Sequence, residues 1–332
     1  MAKIAFCPGN PDACALYRVF LPHLYTPESV YIYKPGPITR EWYEGARVVV
    51  IQRLHAPEHF KAIQVLKSWG MKVIYDMDDN LWEVPTYNPA HRLLKGVRVG
   101  FEKCIQACDL ITVSTAALKV ALLRNVTLPK GIKVTVVNNA IDFNLFRPLP
   151  RNSETVKVGW AGTNTHTRDV AGVWNMLPGF LGANPNVELD FVGLPMPEVL
   201  RNNRRARQLE FVPVGEYPSR LSSWRFDVML APLEDNTFNR SKSNIKALEA
   251  AATGAVPLLS DVASYAQFCE HDPELKWLLC NTNGQWQTKL DALVNDAALR
   301  QYYRDRAHHV AFTHYNIENT VKQWHAVYES ML

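Results

Sequence analysis

Residues 238–260 read Phe-Asn-Arg-Ser-Lys-Ser-Asn-Ile-Lys-Ala-Leu-Glu-Ala-Ala-Ala-Thr-Gly-Ala-Val-Pro-Leu-Leu-Ser. A polar, cationic loop enters a helix of small residues. The helix stops at Gly254, and a short apolar strand follows. A helix N-terminus carries free N–H groups and about half a positive charge, so it can hold a diphosphate. Lys242 adds a point charge beside it, and Ser243 or Asn244 can cap the helix. Glu249 lies one to two turns inside, where a carboxylate can grip a ribose diol. An ordinary capped helix of an α/β domain would carry the same residues, so the rest of the chain has to decide.

Outward from this stretch, short apolar strands alternate with amphipathic helices, the pattern of a parallel α/β sheet. In the first half, strands are expected at 3–7, 29–33, 48–52, 72–76, 110–113 and 133–137, with helices at 57–69 and 91–108 among them. The pattern then restarts, with strands at 156–159, 188–192, 209–212, 227–231, 256–259 and 277–279, and helices at 169–181, 243–253 and 284–295. Residues 297–332 read as two further helices. Prolines and polar residues within 146–153 break any continuing element and mark a linker. The expected organisation is an N-terminal Rossmann-like domain over 1–150, a second such domain over 151–312, and a C-terminal helix over 313–332 packing back toward the first domain. Two doubly wound domains facing one another leave a cleft at their strand carboxyl ends, where such sheets bind ligands.

The 332 residues suffice for two domains with sizeable cores. A composition of 47% hydrophobic and 20% charged residues is that of an ordinary globular protein. There is no repeat and no low-complexity tract. No apolar run approaches a membrane span, and no signal-peptide pattern precedes the first strand, so a cytoplasmic protein without a transmembrane segment is expected. The six cysteines form no Cys-x-x-Cys pair; Cys104 and Cys108, four apart on a helix, read as buried small hydrophobes. A net charge of +4 permits a phosphate-rich partner without demanding one.

Several loops carry candidate chemistry. At residues 156–169 a strand runs through Gly162 and Thr163 into a helix start at Arg168 and Asp169. Gly162 allows close backbone approach, and Arg168 can pair with a phosphate; alternatively this is a plain turn capped by Asp169. After the first strand, residues 8–18 offer Gly9, Asp12, Tyr17 and Arg18 for acceptor contact, although a surface loop with a capping Asp reads the same way. The single glycine there makes no dinucleotide fingerprint. Asp76, Asp78 and Asp79 form the densest acidic cluster, open to acceptor positioning, a base, capping or metal binding. His91 falls at a helix start near the expected cleft. No histidine has metal-ligand spacing, and the Asp cluster falls in the first half, away from the loops expected to hold a diphosphate. Arg201, Arg204, Arg205 and Arg207 read as a solvated helix face. Arg92, Lys95 and Arg98 form a second cationic face, which can meet nucleic acid, an anionic surface or water.

Three motifs carry a family resemblance. Residues 136–148 run from an apolar strand through Asn138-Asn139-Ala140-Ile141-Asp142 to Phe146-Arg147-Pro148. Residues 226–232 are a strand ending in Pro232, and residues 248–257 read Leu-Glu-Ala-Ala-Ala-Thr-Gly-Ala-Val-Pro. In this order they resemble the interdomain segment, donor strand and donor helix of retaining GT-B glycosyltransferases. The match covers the second half well and the first half by topology only. The resemblance implies a nucleotide-diphosphate-sugar donor, a UDP-sugar foremost, bound mainly by the C-terminal domain. It also implies transfer with retained anomeric configuration and usually no essential metal. Glu249 matches the family's ribose-binding glutamate, and Arg168 and Lys242 stand where its diphosphate cations are placed, with Gly162, Thr163, Ser243 and Asn244 completing the donor loops. The sequence departs in two places: Ser241 replaces the first glutamate of a pair, and Asn139-Ala140 replaces Asn-Gly.

The expectation is therefore an α/β GT-B glycosyltransferase in which Arg168 and Lys242 stabilise the departing diphosphate, with Asp78 and Asp79 beside the acceptor hydroxyl. Domain closure is expected to exclude water and align that hydroxyl. The acceptor is a hydroxymethylated base in DNA or, alternatively, a cell-surface glycan or lipid-linked saccharide, with peripheral contact to an anionic surface open. A non-catalytic sugar-nucleotide-binding module and a sugar-nucleotide epimerase share the fold and stand as rivals.

Overall fold

The computed structural model describes residues 3–34, 36–150 and 153–332. The chain forms two compact units. Unit 1 takes in Met1–Ala140, Ser241–Ser243 and Ile317–Leu332, and unit 2 takes in Ile141–Arg240 and Asn244–Asn316.

Unit 1 is a six-stranded parallel sheet in the order β2-β1-β3-β4-β5-β6. Its strands are β1 (Lys3–Cys7), β2 (Val30–Tyr31), β3 (Ala46–Gln52), β4 (Lys72–Met77), β5 (Leu110–Val113) and β6 (Lys133–Val136). The strand Ala46–Gln52 reads ARVVVIQ, a β-branched run that is almost wholly buried because both faces of the sheet are covered. One face packs Val49, Ile51, Val73, Tyr75 and Ile111 against helices α3 (Pro57–Ser68), α4 (His91–Ala107) and α5 (Ala116–Asn125). The other packs Phe6, Val48, Val50 and Ile74 against Trp324, Val327 and Tyr328 of α13 (Ile317–Glu329). Between β1 and β2 run short helical turns α1 (Ala13–Ala15) and α2 (Leu21–Leu24), joined by a π-helical turn at Leu16–Phe20.

Unit 2 repeats the plan in the order β12-β11-β10-β7-β8-β9. Its strands are β7 (Val156–Ala161), β8 (Val187–Val192), β9 (Ala206–Leu209), β10 (Val228–Ala231), β11 (Val256–Ser260) and β12 (Leu279–Cys280). Its helices are α6 (Thr167–Ala183), α7 (Tyr217–Trp224), α8 (Thr237–Arg240), α9 (Ile245–Ala252), α10 (Ala263–Glu270), α11 (Asn283–Asn295) and α12 (Ala297–Tyr315). The glycine stop after α9 is a Schellman turn. Gly254 takes φ +80°, its N–H donates to Ala251 O, and the Ala255 N–H donates to Ala250 O.

Each sheet has one switch point where the strand order reverses, between β1 and β3 in unit 1 and between β7 and β10 in unit 2. The loops leaving these strand ends are where ligands bind in open α/β sheets.

Three expectations are corrected. Ninth in order, the strand lies at Ala206–Leu209 and not at 209–212, because Arg207 pairs with Asp190 of β8 and leaves Phe211 68% exposed. The arginines nearby are therefore not a helix face. Arg205 instead donates to the carbonyls of Leu181, Asn184 and Val187, covering groups that the end of α6 leaves open. Residues 277 and 278 belong to a 3₁₀ turn, Pro273–Leu278, and only Leu279–Cys280 pairs as a strand. Within the expected linker, Arg151 and Asn152 lie outside the described residues, and Phe146 is fully buried with its ring edge toward Tyr217. Cys104 and Cys108 are buried as expected, and burial pushes the Cys104 thiol up to about 11.

Candidate functional site

In unit 2 the site forms on the loops after β7 and β10. Gly162 follows β7, and its carbonyl lies so close to Gly193 that a Cβ there would sit 1.8 Å from it. With φ +87°, Gly193 also holds a conformation that L side chains rarely adopt. Two loops thus touch backbone to backbone beside Thr163, whose hydroxyl bonds Thr165 at 2.7 Å. Arg168, in the first turn of α6, extends to Glu234 of the β10 loop at 3.3 Å. Asp169 does not cap α6. His166 holds the cap position, and the Asp169 carboxylate receives the Glu234 N–H at 2.8 Å and the Asn239 amide at 2.7 Å. This ties the β10 loop to the start of α6. A cavity of about 230 Å³ opens beside it, lined by Asp169, Glu234, Ser260, Asp261, Asn281 and Thr282.

Glu249 lies on α9 and is 2% exposed. The Tyr217 hydroxyl donates to its Oε2 at 2.9 Å, and the Lys246 ammonium reaches the same oxygen at 2.7 Å. A carboxylate fixed from two sides can accept from a diol without reorganising. Burial, then the neighbouring Glu249 charge, pushes the Tyr217 hydroxyl well above its ordinary value, so Tyr217 stays protonated as a donor. Asn244 occupies the cap position of α9 but makes no side-chain cap bond to the helix.

Ser241, Lys242 and Ser243 belong to unit 1. The Ser241 carbonyl accepts from Thr115 at 2.8 Å, and its hydroxyl accepts from Asn80 at 3.3 Å. Ser243 accepts from Asn139 at 2.9 Å, and Lys242 pairs with Asp79 at 3.5 Å.

Elsewhere on the carboxyl edge of unit 1, Gly9 lets the loop after β1 meet the end of β3; a Cβ there would sit 2.6 Å from Gln52 O. Asp12 caps α1 by accepting the Ala15 N–H. Arg53, the residue after β3, holds φ +53°, a strained backbone for a side chain of this size. Its Nη1 lies 3.1 Å from Cys14 Sγ and 3.9 Å from Asp78 Oδ1. Asp78 is 8% exposed, and Oδ1 has no hydrogen-bond partner. Burial foremost, then the adjacent Asp79, raises its pKa to about 6 against the opposing pull of Arg53. Cys14, Asp78 and Asp79 place one ligand atom each within 4.8 Å of one another, as a metal would need. The Arg53 guanidinium already supplies positive charge there.

Two acceptor-side expectations are overturned by burial. Arg18 is fully buried. Its guanidinium grips Asp76 through two bonds of 2.6 and 3.0 Å, reaches Asn139 at 3.1 Å and lies 4.5 Å from the Trp324 ring. Tyr17 is 4% exposed. Both build the interior of unit 1. His91 opens α4 with its ring bonded to Val84 O at 2.7 Å.

The sequence reading missed Cys14, Arg53, Tyr217, Glu234 and Lys246. Lys246 was legible as the residue three before Glu249 on a helix, and Arg53 as the residue following a buried strand. Nothing local marks Tyr217, which a tertiary contact brings to Glu249.

No protein-family model and no curated protein sequence matches the chain. Solved structures do. HepE of Anabaena in complex with UDP is similar over 99% of this chain and 100% of its own, with TM-score 0.69 and 12% identity. Sucrose-phosphate synthase from Thermosynechococcus elongatus matches over 88% of this chain and 76% of its own, with TM-score 0.64 and 13% identity. A variant of S. aureus TarM in complex with fondaparinux, alpha-GlcNAc-glycerol and UDP matches over 85% and 55%, with TM-score 0.62 and 12% identity. The chain thus spans about half the length of that last protein. The fold is GT-B: two Rossmann-like units, each a parallel six-stranded sheet between helices. Among the described residues, no helix is long and apolar enough to cross a membrane.

Proposed function

We propose that the chain is a glycosyltransferase that moves a sugar from a UDP-sugar to an acceptor hydroxyl with retained anomeric configuration. The observation that carries this is Glu249 on α9, a buried carboxylate held by Tyr217 and Lys246. The whole-length likeness to HepE, solved with UDP and with UDP-glucose, supports UDP as the nucleotide.

In this proposal Glu249 accepts from the ribose hydroxyls. Gly162 and Thr163 give the diphosphate close access to backbone, and Arg168 turns from Glu234 to a phosphate oxygen. Asn244 and the N–H groups opening α9 add positive potential as charge builds on the leaving diphosphate. On the acceptor side Asp78, whose pKa near 6 suits proton transfer at neutral pH, receives the proton of the attacking hydroxyl, with Asp79 beside it. The free cysteines fit a cytoplasmic setting, where nucleotide sugars are available.

Calorimetric titration with UDP, GDP, ADP, CDP and dTDP tests the donor half. UDP should bind, and Glu249→Ala should weaken it. Binding of another nucleotide alone would move the donor assignment, and binding of none would refute it. Release of free sugar from the matching UDP-sugar would separate an enzyme from a binding module.

A further inference from the structure

Residues 19–33 of unit 1 hold Phe20, Tyr25, Tyr31 and Tyr33 yet no lysine or arginine, and Glu28 is their single acid. Several of the large side chains stay in water: Phe20 is 40% exposed, Leu24 53%, Tyr31 36% and Tyr33 50%. Scattered exposed apolar residues need no explanation, but Phe20, Tyr31 and Tyr33 are neighbours. The Phe20 and Tyr31 rings meet edge to face at 6.3 Å, and His23 lies 5.8 Å from Tyr31. The Tyr31 hydroxyl is raised above its ordinary value by burial and then by Tyr33, Cys7 and Asp12, so these groups share one neighbourhood.

The patch sits where the chemistry is. Tyr31 ends β2, and Tyr33 follows two residues later, at the same carboxyl edge as Asp12, Arg53 and Asp78. From β2 to β4 the edge crosses three strand spacings, about 14 Å, room for more than one sugar ring.

Charge selects the occupant. DNA phosphates and anionic headgroups are held by lysine and arginine; the exposed Lys34 follows Tyr33, and its ammonium lies over the Trp42 ring at 4.9 Å. Asp12 acts on Tyr31 directly, and farther along the same edge stand Asp78 and Asp79 with Arg53 among them. Among the other exposed cations of unit 1, Arg92 and Lys95 lie on α4. A sugar ring has an apolar C–H face and a rim of hydroxyls. Aromatic faces with phenolic hydroxyls match the first, and carboxylates beside a guanidinium match the second.

We propose that the carboxyl edge of unit 1 is a subsite for a neutral carbohydrate chain, with Phe20, Tyr31 and Tyr33 holding the chain and the Arg53–Asp78 pair receiving its terminal hydroxyls. The transferase reading is needed only to make this chain the acceptor. Asp78 Oδ1, buried without a hydrogen-bond partner, is the atom the terminal hydroxyl would satisfy.

The test uses the full chain, a panel of neutral oligosaccharides (gluco-, galacto- and manno-oligomers), a duplex DNA and anionic phosphatidylglycerol vesicles. Binding is followed by calorimetry and ligand-observed NMR for wild type, Phe20→Ala, Tyr33→Ala and Tyr33→Trp. At least one neutral oligosaccharide should bind. The two alanine variants should lose about tenfold in affinity, the loss expected of one aromatic contact, and Tyr33→Trp should keep it. Because both positions are exposed, the variants should fold normally, and an unchanged UDP titration checks this. Retention of no neutral oligosaccharide, or equal affinity in the alanine variants, overturns the proposal. So does DNA or vesicle binding that those variants abolish. If UDP binds while the sugars fail, the subsite alone is refuted. If the sugars bind as expected and UDP does not, the donor assignment falls and the subsite stands.

Discussion

Asp78→Asn should make this protein more stable above neutral pH while removing its activity. In the folded chain Asp78 titrates at about 6 against an ordinary 3.8, because burial and Asp79 outweigh the pull of Arg53. An acid with a raised folded pKa binds more protons folded than unfolded between these two values. The wild type therefore loses stability as pH climbs from about 4 to about 6, and the loss is complete above that. A shift of about two units corresponds to about 3 kcal/mol at 1.36 kcal/mol per unit. Asparagine keeps the shape and removes the charge. Urea unfolding followed by tryptophan fluorescence at several pH values measures the difference, provided the m-value is unchanged. The variant should match wild type near pH 4 and exceed it by up to about 3 kcal/mol near pH 8. Sugar transfer should fall by about two orders of magnitude or more, as for loss of a general base. A variant less stable than wild type at pH 8, or an advantage equal at every pH, would refute the reasoning. Such a group is retained because function needs it, at a cost in stability.

Other perturbations separate structural from functional groups. Arg168→Ala breaks a pair whose arginine is 59% exposed, so unfolding should change by less than about 1 kcal/mol, while calorimetry should show UDP affinity falling about tenfold. Glu249→Ala leaves the buried Tyr217 hydroxyl without its acceptor, Lys246 keeping only the Tyr217 oxygen, and should destabilise by about 1–3 kcal/mol in urea, whereas Glu249→Gln, which still accepts from Tyr217, should lose less. Arg18→Met leaves Asp76 buried and unpaired and should cost about 3–5 kcal/mol, with a smaller loss when Asp76→Leu is added. No soluble Arg18→Met protein alongside a soluble double variant would carry the same message.

Strand positions were legible where the apolar run was longer than the turn around it. The stretch at 46–52 announces itself through Val48, Val49, Val50 and Ile51, and the glycine stop at Gly254 forms the turn its residue type requires. Reading failed where side-chain pairing overrode hydropathy. Phe211 and Val212 look like a strand, but Arg207 and Asp190 set the register several residues earlier. It also failed for Arg18, which sits in a loop-to-helix stretch beside Asp12 and looks like a surface cation. Its partners Asp76, Asn139 and Trp324 lie 58, 121 and roughly 300 residues away, so no local pattern reveals the burial. Of the candidate site, Glu249 and Arg168 could be read from helix starts and spacing. Tyr217 and Arg53 depend on which strand ends the topology brings together.

The packing of α13 on unit 1 has a consequence for how the chain is made. Trp324, Val327 and Tyr328 cover the sheet face formed by Phe6, Val48, Val50 and Ile74. At a synthesis rate of ~5–20 residues per second, residue 317 follows residue 140 by on the order of ten to thirty-five seconds. During that interval the nascent sheet has an uncovered apolar face, and Arg18 lacks the ring that later lies against it. Unit 2 can complete its own core first, although its residues are translated later. Maturation of this protein thus runs against the order of translation, and the waiting face is where a ribosome-associated chaperone would be needed most.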